Sequence, residues 1–274
     1  MSELIKVWYE QHGVNLRAGK DTFSRLNQMC IAMGDPVADR FKADLFSEYR
    51  SKRLKEGISA SCLNREQAYL RAVFNELSRL GFWKGDNPLA AVRQFKISEH
   101  ELSYLSLPQI EGLLAELKNG RNGDALLITK ICLSTGARWS EAEGLRASQV
   151  RDGQIHFSNT KSGKNRSVPI DNDLTKALLE AAAMKKSEKI FGYAYSAFRD
   201  AVDRMGLELP KGQLTHVLRH SFASHFMMNG GNILVLQKLL GHSSLTMTMR
   251  YAHLAPDHLQ EAKNLNPLTR LTLG

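Results

Sequence analysis

Six residues, met in this order along the chain, share one chemistry: Arg138, Lys161, His216, Arg219, His242 and Tyr251. A phosphodiester is an anionic, sluggish electrophile. Cutting it without a metal needs cations fixed around its non-bridging oxygens, where charge builds in the transition state. Arginine suits that task, being always protonated and carrying a planar fork that matches two phosphate oxygens. Arg138 follows Gly136 at the end of an apolar helix, and Arg219 lies within a second predicted helix, so two separate elements can clamp both oxygens. A tyrosine that attacks leaves a covalent phosphotyrosine, which stores the bond energy, so rejoining needs no ATP. Tyr251 stands nine residues after His242 and is the proposed nucleophile.

Taken singly, these residues say little. A lone tyrosine in a helix packs on the core, a lone arginine makes a surface salt bridge, and a His-x-x-Arg pair recurs by chance. His216 and Arg219 stand three apart, so both are expected on one helical face. A phenol is weakly nucleophilic at neutral pH and needs a cationic pocket or a base to take its proton. The leaving 5′ oxygen must gain a proton, and Lys161 is the candidate donor, with Lys164 competing from the same loop. Glu141 follows Arg138 by three and either orients its guanidinium or is a solvated helix charge. His220 and His225 read as packing or capping residues. His216 and His220 have a zinc-like spacing, but no Glu stands beside His216 and no third ligand is near, so no metal is expected. With no carboxylate cluster and no phosphate-binding glycine loop, no cofactor is expected either.

The elements that must hold these residues are mainly helical. Apolar periodicity gives helices around Leu4–Gln11 and Phe23–Met33, one from about Asp39 to Glu56, and one capped by Ser59 or Ser61 that runs to Gly81. A less periodic stretch from Asp86 to about Ser103 carries a linker, placed at 98–105, between a helical domain at 1–97 and a second domain at 106–274. Pro108 opens a new helix, and an apolar helix from Asp124 ends at Gly136. Strand signals are confined to Gln154–Phe157 and Arg166–Ile170. They form a hairpin with Lys161 at or near its loop. Helices resume at Asp171–Leu179, Ala194–Met205, Val217–Met228, Ile233–Leu240 and Ser244–Tyr251.

The formal net charge is +9, split as 16 Lys+Arg against 12 Asp+Glu in residues 1–100 and 21 against 16 in the rest. Both parts are basic, which suits a protein gripping a polyanion from two sides. No run is long enough to span a bilayer, no signal peptide is visible, and three widely spaced cysteines fit a reducing, cytoplasmic setting.

Together the motifs resemble the tyrosine recombinase family, also called phage integrases. Thr135-Gly136-Ala137-Arg138 is similar to its first arginine box. Leu214-Thr215-His216-Val217-Leu218-Arg219-His220-Ser221-Phe222-Ala223 is similar to its second, and Leu239-Leu240-Gly241-His242 with Tyr251 to its third histidine and nucleophile. The phrasing around Leu133–Trp139, Phe226–Gly231 and Asn264–Leu268 resembles integrases of peduovirus-type temperate phages. The resemblance implies a mainly α fold with a small β-sheet, in two domains: a helical core-binding domain and an α+β catalytic domain from about Leu105 to Leu265. The two would form a C-shaped clamp on duplex DNA with specific core sites. Four protomers would exchange strands through 3′-phosphotyrosyl links and a Holliday junction, to integrate or excise a mobile element. Accessory DNA-bending or directionality factors can take part. Core-binding helices that begin almost at Met1 predict no additional arm-binding N-terminal domain. A stand-alone invertase or resolvase, a type IB topoisomerase and a non-catalytic DNA-binding regulator are the other readings, the last expected to have lost Tyr251 or an arginine.

Overall fold

The computed structural model describes residues 1–97, 103–158, 165–185, 187–210 and 212–256. The chain divides into two compact units, Met1–His100 and Glu101–Gly274.

The first unit is helical: α1 (Ser2–Gln11), α2 (Gly19–Ala32), α3 (Ala43–Lys55) and α4 (Ala60–Arg79). Ser59 caps α4 by accepting from the Cys62 amide. The long α4 buries Leu63, Leu70, Val73, Phe74 and Leu77 as one apolar stripe. Where the sequence predicts a helix from about Asp39, Ala38–Arg40 is only a single 3₁₀ turn and α3 starts at Ala43. Phe41 explains the break: it leaves the helical path in extended conformation and is buried against Phe74. The start of the expected linker stretch also belongs to this unit. Leu89 is fully buried, Asn64 exchanges two hydrogen bonds with the Phe95 backbone, and Gln67 donates to the Val92 carbonyl. These buried amides match the irregular backbone's donors and acceptors and hold it in place.

The second unit contains α5 (Leu107–Lys118), α6 (Gly123–Thr135), α7 (Trp139–Glu143), β1 (Val150–Arg151), β2 (Gln154–Phe157), β3 (Arg166–Pro169), α8 (Asn172–Met184), α9 (Tyr195–Arg204), α10 (His216–Met228), α11 (Ile233–Leu240) and α12 (Thr246–Met249). Leu105, expected in the linker, is instead buried in this unit's core, its amide bonded to Ser221 Oγ and its carbonyl to His225 Nε2. The sheet is antiparallel in the order β1-β2-β3, with Ile155 opposite Val168 and Phe157 opposite Arg166. The hairpin expected from sequence gains β1, joined to β2 by Asp152 and Gly153, both at positive φ. Helices α6 and α10 pack on each other at the centre and bring the two arginine boxes together.

Candidate active site

The site begins at the end of α6. Gly136 terminates the helix at φ 66°, and a Cβ there would stand 2.5 Å from Phe222 and 2.7 Å from Leu240. Only glycine combines that backbone with that approach. The chain then turns so that Arg138 precedes α7 with Glu141 in its first turn. Glu141 Oε2 accepts from the Arg138 amide at 3.1 Å, and Oε1 accepts from Arg138 Nη1 at 3.0 Å. The carboxylate is 10% exposed, so it is no solvated helix charge.

A second arginine grips the same carboxylate. Arg166, at the start of β3, donates from Nη2 to Glu141 Oε2 at 2.6 Å, and its side chain is only 6% exposed. Its guanidinium carbon lies 4.5 Å from the centroid of Phe157, the residue opposite it in the sheet. Burial raises the Glu141 pKa. The hydrogen bond and charge of Arg166, with the amide and charge of Arg138, outweigh it, and the net shift is downward. Glu141 is therefore held ionised between two cations. Arg166 also borders a hollow lined by Gln237, Lys238, Gly241 and His242. Sequence reasoning passed over Arg166. The available signal was a charged residue on the inward face of a strand.

Arg219, on α10, is 4% exposed. Its Nη1 donates to the Gly136 carbonyl at 2.8 Å and its Nη2 to the Leu240 carbonyl at 2.7 Å. One side chain thus staples the segment leading to Arg138 onto the segment leading to His242. Burial first, then the charges of Arg138 and Arg166, lower its pKa to about 10, so it stays a cation at neutral pH.

Helix α11 ends at Gly241, φ 64°, and the turn places His242 beside Thr248, with Nδ1 2.9 Å from Oγ1. Burial, then Arg219 and Arg138, push the His242 pKa down to about 4. Tyr251 follows α12 and is 2% exposed, packed with Ala223, Met227, Leu236 and Leu240. Its Oη lies 2.7 Å from His220 Nδ1. Burial raises the phenol pKa, partly offset by Arg219 and Arg250. His220, read from sequence as packing or capping, therefore touches the proposed nucleophile. His225 does make a backbone contact of the expected kind. His216 opens α10 at the exposed edge, 6.4 Å from His220 between ring centroids, whereas Arg219 one turn on is buried. The shared face expected for His216 and Arg219 is thus divided between surface and interior.

The structure brings Arg138, Glu141, Arg219, His242 and Tyr251 into one connected set, with Arg166 and His220 as added members. Lys161 and Lys164 lie outside the described residues. Among the described residues no group of three His, Cys, Asp or Glu is placed to hold a metal, and no helix is long and apolar enough to cross a membrane.

Residues 103–258 match the model of the phage integrase family, and residues 1–96 match that of the phage integrase N-terminal domain. The chain belongs to the phage integrase family. The integrase of Escherichia phage 186 is 50% identical over 99% of this chain and 82% of its own length. Among solved structures, the catalytic domain of bacteriophage HP1 integrase is 59% identical, covers 62% of this integrase and 98% of that chain, and superposes with a TM-score of 0.58. The Tn1549 transposon integrase in complex with circular intermediate DNA covers 97% of this chain and 99% of its own, with a TM-score of 0.79 at 21% identity, which speaks for the fold. The integrase is a site-specific recombinase of the tyrosine class, mainly α with a small antiparallel sheet. The expectation of an integrase without the N-terminal arm-binding domain is not supported, because the family's N-terminal-domain model matches residues 1–96.

Proposed function

We propose that the second unit cuts and rejoins duplex DNA at specific core sites, with Tyr251 as nucleophile, forming a 3′-phosphotyrosyl link and passing through a Holliday junction. Arg138 and Arg219 clamp the phosphodiester, and His216 and His242 add hydrogen bonds to its oxygens. Lys161, or Lys164, protonates the leaving 5′ oxygen. Glu141 fixes the Arg138 guanidinium. Residues 1–97 form the core-binding domain, 98–104 the linker and 105–274 the catalytic domain, which takes in the buried Leu105. The reaction integrates and excises a peduovirus-type temperate phage genome in the bacterial cytoplasm, by four protomers on two sites with accessory DNA-bending or directionality factors.

The single observation that carries this reading is the Arg219 staple. Its two bonds, to the Gly136 and Leu240 carbonyls, join both arginine boxes to the segment bearing His242 and Tyr251. The DNA in the Tn1549 integrase complex supports the choice of substrate. The test is Tyr251→Phe on a nicked suicide duplex. The native chain should form a covalent adduct and the variant none, with DNA affinity nearly unchanged. An adduct from the variant would sink the assignment.

A further inference from the structure

The proposed nucleophile needs somewhere to send its proton, and among the described residues His220 stands within hydrogen-bond distance of it. His220 Nδ1 lies 2.7 Å from Tyr251 Oη, with the rings 6.0 Å apart and tilted by 42°. That is hydrogen-bond distance for direct transfer, with no intervening water. Resting on the reading of Tyr251 as nucleophile, we propose that His220 is a further catalytic residue, the base that accepts the Tyr251 phenolic proton during strand cleavage and returns it on rejoining.

The surroundings suit this role. Tyr251 is almost wholly buried, which disfavours its anion, so the phenol does not ionise unaided. Besides Tyr251 itself, the charged or titratable groups that act on the imidazole among the described residues are His216 and Arg219 on its own helix and Arg250 beside α12. Burial first, then these charges, lower the His220 pKa to about 4, so its ring is neutral at pH 7 and can accept. A seated phosphodiester would offset Arg219 and Arg250 and raise the basicity of the ring as attack begins. The phenolic oxygen also becomes far more acidic as it bonds to phosphorus, so a weak base suffices when the two events are concerted.

The step balances. The Tyr251 Oη–P bond forms and the P–O5′ bond breaks. The phenolic proton passes to His220 Nδ1, and the 5′ oxygen takes its proton from Lys161 or Lys164. Acceptance requires the tautomer with hydrogen on Nε2.

The experiment uses the full chain on a nicked suicide duplex carrying the site that the chain itself selects from a randomised library. His220→Asn keeps an acceptor near the Nδ1 position but cannot take a proton. It should cleave about 100-fold more slowly at pH 7. Its rate should climb about tenfold per pH unit from pH 7 to 9, as hydroxide takes over, while the native rate is flatter. A 5′-bridging phosphorothiolate should not rescue it, because the defect is on the attacking side. Native-like cleavage by His220→Asn, or a slow rate whose pH profile parallels the native one, would overturn the proposal. Nitrogen-15 NMR of the native chain provides a test that needs no variant: an Nδ1-protonated His220 would also overturn it. Tyr251→Phe run alongside separates the two readings, since an adduct from that variant removes the nucleophile itself, whatever His220 does.

Discussion

Arg166 and Glu141 meet at 2.6 Å, both largely buried, and that contact fixes the carboxylate that in turn holds Arg138. Arg166 reaches the site from the sheet, and Arg138 from the end of α6. Through this pair the small sheet contributes to the proposed phosphate clamp.

Arg166→Met should lower cleavage by disordering Arg138 while leaving DNA binding mostly intact. Losing one charge-assisted hydrogen bond at this partly buried carboxylate costs roughly 1.5–3 kcal/mol. A double-mutant cycle with Glu141→Gln checks the route: the two effects should fall well short of additive, and strict additivity would show that Arg166 acts elsewhere.

Gly136→Ala should both destabilise and inactivate. An alanine at φ 66° costs about 1 kcal/mol from its backbone alone, and the new Cβ would press on Phe222 and Leu240. Gly153→Ala is the control, because it shares φ 66° but has open space around it. Thermal unfolding of the two variants should differ, Gly136→Ala being the lower. Equal melting temperatures would mean that the close approach at Gly136 relaxes freely.

Stability should fall as pH drops from about 6.5 toward 4. His220 and His242 both have folded pKa values near 4 against an ordinary 6.5, so the unfolded chain binds more protons throughout that window. Each group adds at most about 1.4 kcal/mol per pH unit to the slope. His242→Gln should flatten the melting curve against pH relative to the native chain, and an unchanged slope would place its titration outside folding.

Lys161 and Lys164 are separated by leaving-group chemistry. If Lys161 is the general acid, Lys161→Ala should cleave ordinary DNA slowly and recover on a 5′-bridging phosphorothiolate, whose sulfur leaves without a proton. Lys164→Ala should show a mild and equal loss on both substrates through its phosphate contact. Rescue of Lys164→Ala alone would reverse the assignment.

Sequence by itself determined which residue types stand at which spacing, and the helices that carry them. Gly136 before Arg138, the apolar run of α6 and the Gly241 stop before His242 were all readable, because caps and apolar periods are local properties. Strand β1 was missed, though Asp152-Gly153 is a hairpin signal, because two residues are too few to display a period. Tertiary structure alone decided that Arg166 shares a carboxylate with Arg138, that Arg219 is held by two distant carbonyls, and that His220 faces Tyr251 across 31 positions of chain. The reason is physical. A side chain buried in a core takes partners from whatever element packs against it, and its own neighbours in sequence do not encode that choice.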